Sequence, residues 1–326
     1  MSEGCPPHRH LRSKLAVLFF SIVISLAVLE IGLRLFHPAI SPAQDAALLG
    51  YGYDAELGWF PSPNSRKLIK ASRTITAINN SDGLRAPERV TNNKPVVVFL
   101  GDSLVWGFDV DASERFTEKL QSQHPEWAIY NFGVSGYGND QEYLLLQKYF
   151  ARYRPRLVVT IICADNDNED NAWNFRGGYY KPWFKLEAGS LKLHGVPVPK
   201  SAKSFFAEHT VLSHSFVLRL LVSFYYRLKA PAPVKNGDPP TGVILLEMRK
   251  YVLERGALFA VGLQRSNSEL EDFLRKFQIP YVDLTTTNPL HTYPRFGNHW
   301  TPEGHNLVAV KINDFLTAIE KKRAPN

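Results

Sequence analysis

The sequence predicts an α/β domain with a mostly parallel sheet, preceded by a single membrane-spanning helix. Residues 96–100 are apolar without a break and lie between Pro95 and Gly101. A run of this kind is typical of a strand buried on both faces, as the central strands of parallel sheets are. Further apolar strands alternate with helical segments, and this rhythm predicts a parallel sheet covered by helices on both sides. Near the amino terminus, residues 15–29 carry no charge.

The composition fits a folded globular protein. Hydrophobic residues make up 44% of the 326 residues and aromatic residues 12%, which is enough for a sizeable core. The net charge is +7, but the basic residues are scattered along the chain. We therefore expect no nucleic-acid partner, since nucleic-acid-binding proteins concentrate Lys and Arg in a patch. The two cysteines, Cys5 and Cys163, would fall on opposite sides of a membrane, so no disulfide is predicted.

The amino-terminal segment is predicted to be a retained membrane anchor. Residues 15–36 are long and apolar enough to cross a bilayer as a helix, and Glu30 and Arg34 near its end can pair at the interface. Basic residues before this segment place a tail of residues 1–14 in the cytoplasm and the rest of the chain outside it. The expected location is the inner or plasma membrane, with one crossing and a periplasmic or extracellular domain. The alternative is a signal peptide cleaved near residues 41–43.

After the anchor, the chain divides into a lead-in segment, 37–92, and a domain, 93–322. The lead-in contains a predicted hairpin strand, 69–78, with alternating apolar residues. The domain's predicted strands are 96–100, 127–130, 157–163, 257–263 and 281–284. Its predicted helices are 112–121, 140–153, 243–254, 268–277 and a last helix that begins at Thr301-Pro302, an N-cap followed by Pro. Residues 168–240 interrupt the rhythm, contain a helical segment at 211–228, and are expected to form a substrate wall or lid over the carboxyl edge of the sheet.

Small or polar residues follow three of the predicted strands, at Ser103, Gly136 and Asn166. Carboxyl ends of parallel strands share one edge of a sheet, where open α/β sheets bind their ligands. A serine nucleophile needs a base, and its tetrahedral intermediate needs hydrogen-bond donors. The backbone N–H groups of Ser103 and Gly136 and the side-chain amide of Asn166 are candidate donors. His299 is the candidate base, because it alone among ten histidines lies at a loop-to-helix junction after the last strand.

Four motifs in this order resemble blocks I, II, III and V of the SGNH/GDSL hydrolases. They are Gly101-Asp-Ser-Leu104, Asn131-Phe-Gly-Val-Ser-Gly136, Ala164-Asp-Asn-Asp167 and His299-Trp-Thr-Pro-Glu-Gly304. The anchor followed by Asn80-Ser-Asp-Gly-Leu-Arg85 is similar to the membrane-anchored bacterial members. The resemblance implies a three-layer α/β/α, flavodoxin-like fold over residues 93–320. It also implies a nucleophile at Ser103, a base at His299, an oxyanion hole at Ser103, Gly136 and Asn166, and no metal or organic cofactor.

One departure from the family concerns the acid that orients the histidine. The family places an Asp two or three residues before that histidine, and this chain has Gly297 and Phe296 there. His299 would then be oriented by a backbone carbonyl or by a carboxylate from elsewhere, for which Asp283, at the end of a nearby strand, is the candidate. A milder departure is Ala164, where the family usually has Gly. The acidic residues at 165–170 lack the pattern of a calcium loop and are expected to form a solvated rim.

Three functions are compatible with these residues. The first is a serine esterase acting on an O-acyl ester, for example an O-acetyl carbohydrate, with an acylated small molecule, glycan or lipid as substrate. The second is an O-acyltransferase for an envelope or exported polysaccharide, since His299-Trp300 resembles the His-Trp pair of the alginate O-acetyltransferase-like members. The third is a catalytically silent envelope polysaccharide-binding protein, suggested by the missing acid.

Overall fold

The computed structural model describes residues 7–36, 49–91, 93–164, 166–294 and 298–323. Within these ranges the helices are α1 (Pro7–Phe36), α2 (Ser103–Trp106), α3 (Phe116–Gln123), α4 (Asn139–Tyr153), α5 (Asp167–Ala172), α6 (Ala202–Glu208), α7 (Phe216–Lys229), α8 (Thr241–Leu253), α9 (Ser268–Lys276) and α10 (Pro302–Arg323). Short 3₁₀ turns are formed by Ala112–Glu114, Leu212–His214 and Pro289–His291.

The strands lie in one larger sheet and several hairpins. They are β1 (Tyr51–Asp54), β2 (Gly58–Pro61), β3 (Arg66–Lys70), β4 (Thr74–Ile78), β5 (Val96–Gly101), β6 (Ala128–Gly133), β7 (Leu157–Ile162), β8 (Phe175–Arg176), β9 (Tyr179–Tyr180), β10 (Trp183–Glu187), β11 (Ser190–His194), β12 (Leu258–Leu263), β13 (Tyr281–Asp283), β14 (Thr292–Tyr293) and β15 (His299–Trp300).

The larger sheet has five strands in the order β13-β12-β7-β5-β6, and every neighbouring pair is parallel. Counted along the chain within this sheet, the order is 2-1-3-4-5, the flavodoxin-like order of doubly wound folds. The predicted parallel sheet is therefore confirmed, together with the strand order that the resemblance implies. In such folds a ligand binds where the strand order reverses, which here is the crevice between the carboxyl ends of β5 and β7.

Helices cover both faces of this sheet, so the domain has three layers. Successive residues of β5 point to opposite faces, as the pleat of a strand requires. Val98 and Leu100 belong to a core with residues of α4, α8 and α9, whereas Val97 and Phe99 belong to a second core with residues of α3 and α10. Because both faces are covered, β5, β6 and β7 are buried along nearly their whole length, which explains why they are mainly apolar and why β5 is apolar without a break.

Several helix limits follow from local chemistry. The hydroxyl of Thr301 accepts the N–H of Gly304 at 3.2 Å, which confirms the predicted N-cap of α10. The predicted helix 112–121 is instead a 3₁₀ turn followed by α3. The predicted helix 211–228 likewise consists of a 3₁₀ turn and α7, because Ser215 interrupts it and caps α7 by accepting the N–H of Leu218.

The lead-in segment differs from its prediction. Residues 69–78 are not one strand, because residues 71–73 form a turn in which the N–H of Ala71 bonds to the carbonyl of Arg73 at 3.0 Å. β3 and β4 therefore form an antiparallel hairpin, and Ile69 and Ile75 are buried together against Trp106. The turn contains no Gly, Pro, Asn or Asp, so the usual sequence signal for a hairpin is missing.

Residues 167–240 supply short hairpins and helices, and none of their described strands joins the five-stranded sheet. At the amino end of the chain, Leu11–Phe36 of α1 is long and apolar enough to cross a membrane, with a mean hydropathy of 2.5. The region suggested for signal cleavage, residues 41–43, lies outside the described residues.

Candidate active site

Ser103 lies directly after β5, at the first position of α2 and at the carboxyl edge of the sheet. The turn before it is tight, since a Cβ on Gly101 would come within 2.3 Å of Val105 Cγ2. Asp102 caps α2, because its Oδ1 accepts the N–H of Leu104 at 2.9 Å. Ser103 itself is half-buried. The Gly-Asp-Ser turn thus presents a hydroxyl at the sheet edge, and Asp102 holds the turn.

The structure brings His299 to Ser103, although the two residues are 196 positions apart. Nε2 of His299 is 2.8 Å from Oγ of Ser103. His299 is in the two-residue strand β15, which pairs with β14, and its ring lies against that of Phe108 with centroids 4.6 Å apart. Only 8% of His299 is exposed. The imidazole is therefore held by backbone pairing and by ring packing, at hydrogen-bond distance from the hydroxyl.

The other nitrogen of the imidazole faces Asp109, which the sequence did not identify. Oδ2 of Asp109 is 3.5 Å from Nδ1 of His299, and no described residue provides Nδ1 with a closer partner. Asp109 is fully buried, in the loop after α2, with a left-handed backbone (φ 68°). Ser72 in the β3–β4 turn donates its backbone N–H to Asp109 Oδ1 at 2.7 Å and its hydroxyl to Oδ2 at 3.2 Å.

Burial by itself would raise the pKa of Asp109. The neighbouring imidazole of His299 and the hydrogen bonds from Ser72 outweigh burial, so that the pKa of Asp109 is lowered. A carboxylate held in its ionised form next to a histidine fixes the ring orientation and the tautomer with a proton on Nδ1. The lead-in hairpin therefore contributes to the site through Ser72.

Asp283, the carboxylate suggested by the sequence, is not at this position. It is exposed at the end of β13, and its Oδ1 accepts the N–H and the hydroxyl of Thr285. β13 is the outermost strand, with β12 and β7 between it and β5. Three strand spacings of about 4.8 Å separate it from the nucleophile strand by roughly 14 Å. Phe296 and Gly297, which stand where the family has its acid, lie outside the described residues.

The candidate oxyanion donors surround the same edge. The backbone N–H groups of Ser103 and Gly136 have no acceptor among the described residues. Nδ2 of Asn166 donates to Oδ2 of Asp102 at 3.2 Å, which leaves its second N–H for another acceptor. The Gly136 loop is tied to the nucleophile turn, because Val134 N–H bonds to the carbonyl of Gly101 at 3.0 Å.

Gly136 has φ 87°, a conformation that favours glycine. A Cβ there would meet only Trp59 Cζ2 at 3.5 Å and Arg176 Nε at 3.7 Å, so the backbone conformation rather than crowding requires glycine. Arg176 belongs to the insertion and forms an ion pair with Asp170. Part of the insertion therefore lies beside the Gly136 loop, as expected for a wall of the site.

Asn131 supports this arrangement from within the core. Its Oδ1 accepts the N–H of Gly133 at 2.9 Å, and its Nδ2 donates to the carbonyl of Val105 and to the hydroxyl of Thr117. These bonds connect β6 to α2 and α3. The side chain thus fixes the turns around Ser103 and does not itself face a substrate.

Two further acidic side chains, Glu142 and Asp167, are buried close to the site. Oε2 of Glu142 accepts the hydroxyl of Thr160 at 2.6 Å, and Oδ2 of Asp167 accepts the N–H of Cys163 at 2.9 Å. Burial raises the pKa of Glu142 to about 8, and burial followed by the charge of Glu142 raises the pKa of Asp167 well above its usual range. The expectation that the acidic residues at 165–170 form a solvated rim is thus wrong for Asp167. Asp170 is buried too.

No protein-family model and no curated protein matches the chain. Solved structures do match it. A lipolytic protein of the G-D-S-L family from Veillonella parvula is 12% identical, with a TM-score of 0.42 over 69% of this chain and 99% of its own. The esterase EstA from Pseudoalteromonas is 10% identical, with a TM-score of 0.41 over 70% and 100%. A two-domain esterase active on acetylated mannans is 13% identical, with a TM-score of 0.40 over 72% of this chain and 51% of its own.

Proposed function

We propose that this protein is a serine esterase that cleaves an O-acyl ester through an acyl-enzyme. The observation that carries the proposal is the series Ser103–His299–Asp109, with 2.8 Å between Ser103 Oγ and His299 Nε2 and 3.5 Å between His299 Nδ1 and Asp109 Oδ2. A nucleophile whose base is oriented by a third, ionised group is the arrangement that activates a serine hydroxyl. The four motifs that resemble the SGNH/GDSL hydrolases support the same chemistry.

In this mechanism Ser103 Oγ attacks the ester carbonyl while His299 Nε2 takes its proton. The carbonyl oxygen becomes negative and accepts hydrogen bonds from the N–H groups of Ser103 and Gly136 and from Nδ2 of Asn166. His299 then protonates the leaving alcohol, and a water molecule activated by the same nitrogen releases the acid. Asp109 stabilises the imidazolium formed in both steps. We expect the Asp109–His299 distance to shorten when substrate binds, as catalytic hydrogen bonds commonly do.

Hydrolysis of a short-chain aryl ester by the full chain in detergent tests this proposal. Ser103→Ala should reduce turnover to the uncatalysed level and abolish labelling by a fluorophosphonate probe. Ser122→Ala is the matched control, because Ser122 is exposed on α3 and bonds only to the carbonyl of Glu118. Equal turnover by the wild type and Ser103→Ala would refute the esterase.

Two observations favour hydrolysis over the two alternative functions. The acyltransferase alternative depended on Trp300, but this side chain is 1% exposed and packs in the core against Phe116 and His305, so it does not face a substrate. The silent-protein alternative is based on the missing acid, and against it Asp109 Oδ2 lies 3.5 Å from Nδ1 of His299, where it can serve as that acid. Hydrolysis is therefore the function that the site supports best, with an acylated small molecule, glycan or lipid as the proposed substrate class.

The proposal includes a retained anchor that holds the domain on the outer side of the inner or plasma membrane. α1 is exposed along most of its length, as expected of a helix whose surroundings are lipid. Its last turns contact the domain, since Glu30 accepts the N–H groups of Phe216 and Val217 in α7. A helix that caps an element of the folded domain favours retention over cleavage.

A further inference from the structure

The apolar stripe of α7 faces away from the protein. Val217, Leu220, Leu221, Phe224 and Leu228 follow the spacing i, i+3, i+4, i+7, i+11, which places them on one side of a helix. In a globular domain such a stripe normally packs onto the core. Here Leu220 is 41% exposed, Leu221 59%, Phe224 62% and Leu228 70%. The 3₁₀ turn before α7 continues the exposed surface with Val211 and Leu212.

The opposite side of α7 makes the contacts with the protein. Arg219 is 6% exposed and donates from Nε to the carbonyl of Ser213. Tyr226 lies against Phe205 of α6, with ring centroids 6.2 Å apart. The helix is therefore oriented with its more polar side inward, the reverse of an ordinary surface helix.

α7 begins where the apolar part of α1 ends. The carboxylate of Glu30 accepts the N–H groups of Phe216 and Val217 at 3.0 Å each, and Arg34 donates to the carbonyl of His214 at 2.7 Å. The uncharged residues 15–29 of α1 span about 22 Å at 1.5 Å per residue. Since the hydrocarbon core of a bilayer is about 30 Å thick, Glu30 lies within about 8 Å of its boundary, and it positions the first turn of α7 at the same level.

Exposed basic residues accompany the apolar stripe. Arg227 and Lys229 are exposed in the last turn of α7, and Arg34 is exposed at the end of α1. Helices that lie in a membrane interface combine an apolar side with Lys and Arg, because the apolar side enters the acyl boundary while the cations meet lipid phosphates.

From these observations we infer that α7 is a second membrane-contacting element, lying in the headgroup region with Leu221, Phe224 and Leu228 directed into the lipid. This inference rests on the proposed anchoring by α1, which holds α7 at the membrane surface. We assign lipid as the partner of the apolar stripe, because α1 holds α7 next to the bilayer. Lipid can then cover these side chains without a further protein. The domain would then contact the bilayer through both α1 and α7, and would not be attached through α1 alone.

Nitroxide labels in the full chain, reconstituted in nanodiscs of phosphatidylethanolamine and phosphatidylglycerol, test this inference. Cys5→Ser leaves only the buried Cys163, and single cysteines then replace Leu221, Phe224 or Leu228. Val23→Cys, in the middle of α1, reports anchoring, and Lys192→Cys, on the exposed side of β11, is the control that faces water. Power saturation compares collisions with oxygen, which concentrates in lipid, and with a nickel chelate, which stays in water. Ester hydrolysis in detergent checks that each labelled chain is folded.

We expect the three α7 positions and Val23 to favour oxygen over nickel and Lys192 to favour nickel. Nickel-accessible α7 labels together with an oxygen-accessible Val23 would overturn the inference and leave the anchor standing. A nickel-accessible Val23 would overturn the anchor and this inference with it. Labels on α7 that are shielded from both reagents would show a protein, such as a second copy of this chain, on the stripe, and would also overturn the assignment to lipid.

Discussion

Asp109 and Glu142 are both fully buried near the serine–histidine pair, yet the pKa of Asp109 is lowered and that of Glu142 is raised to about 8. Burial by itself raises the pKa of both carboxyl groups. The difference lies in their partners. Asp109 accepts a backbone N–H and a hydroxyl from Ser72 and faces His299. Within the described part of the chain, Glu142 accepts only the hydroxyl of Thr160 and, at 3.3 Å, the amide of Asn139.

The comparison shows how one site can contain a charged acid and a neutral acid at the same pH. Hydrogen bonds that favour the carboxylate keep Asp109 ionised despite its burial, and their scarcity leaves Glu142 protonated. Asp102 adds a further negative charge near Glu142, and this charge raises the pKa of Glu142 as burial does. Asp109 can therefore act on the imidazole, while Glu142 serves as a neutral hydrogen-bonding group in the core.

The largest expected effect is on turnover in Asp109→Asn. An amide in place of the ionised carboxylate cannot stabilise the imidazolium, and it favours the wrong tautomer of His299. We expect kcat to fall by about 10³–10⁴-fold, as the loss of the acid does in other triads. The measurement is steady-state hydrolysis of the aryl ester. Asp283→Asn is the control, and it should leave kcat within about twofold; a kcat for Asp109→Asn within tenfold of the wild type would contradict the assignment.

The next effect is on the pH dependence of stability, in Glu142→Gln. The folded chain holds the Glu142 proton up to about pH 8, whereas the unfolded chain releases it near 4.5. The contribution of protonated Glu142 to the stability of the fold is thus complete below the pKa of the unfolded chain and is lost as the pH rises toward 8. We expect the Tm of the wild type to fall between pH 5 and pH 8, and the Tm of Glu142→Gln to fall less. Asp167, whose pKa is also raised, makes Tm fall with rising pH as well, so some pH dependence of Tm should remain in Glu142→Gln.

The exposed Glu254 provides the control for this measurement, because Glu254→Gln should keep the wild-type dependence on pH. An unchanged slope in Glu142→Gln would mean that Glu142 is ionised in the folded protein, and the contrast with Asp109 would disappear. Turnover at a fixed pH should change little in this variant, since Glu142 does not contact Ser103 or His299.

Most of the site could be predicted from the sequence because its residues follow strands directly. Ser103, Gly136 and Asn166 each come after a buried apolar strand, and parallel strands bring their carboxyl ends to one edge. His299 could be predicted from its place before the N-cap of α10. These predictions need only the local pattern and the topology of the sheet.

Asp109 could not be found in the same way. It reaches His299 through a loop with a left-handed backbone, and the turn that holds it, at Ser72, lies 37 residues earlier in the chain. Neither feature has a periodic signal, and the alternating residues 69–78 predict one strand of a hairpin, not the turn at 71–73 that contains Ser72. The nearest sequence sign is Gly107-Phe-Asp109, a second glycine and acid shortly after the nucleophile, with Gly107 at φ 80°.

A smaller effect is expected when Asp109 loses one of its donors. Ser72→Ala removes the hydroxyl at 3.2 Å but keeps the backbone N–H at 2.7 Å. One hydrogen bond to a charged group contributes about 1.5 kcal/mol, so kcat/KM should fall about tenfold. Ser72→Thr, which retains a hydroxyl, should restore most of the activity, and Ser62→Ala in the same lead-in should change nothing. Equal losses in Ser72→Ala and Ser72→Thr would indicate packing rather than donation.

The smallest expected effect is on the Glu142 side, in Thr160→Val. The substitution keeps the shape of the side chain but removes the hydroxyl that donates to Glu142 Oε2 at 2.6 Å. Burial raises the pKa of Glu142, and this hydrogen bond lowers it. Loss of the hydrogen bond should therefore raise the pKa of Glu142 further. Denaturation by urea should show a loss of about 1 kcal/mol in unfolding free energy at pH 5. The pH-dependent fall in stability should also extend above pH 8, because Glu142 then keeps its proton to a higher pH. A fall that ends at the same pH as in the wild type would mean that the hydroxyl does not donate to the carboxyl group, and a fall that ends at a lower pH would mean that the hydroxyl accepts the proton of the neutral acid instead.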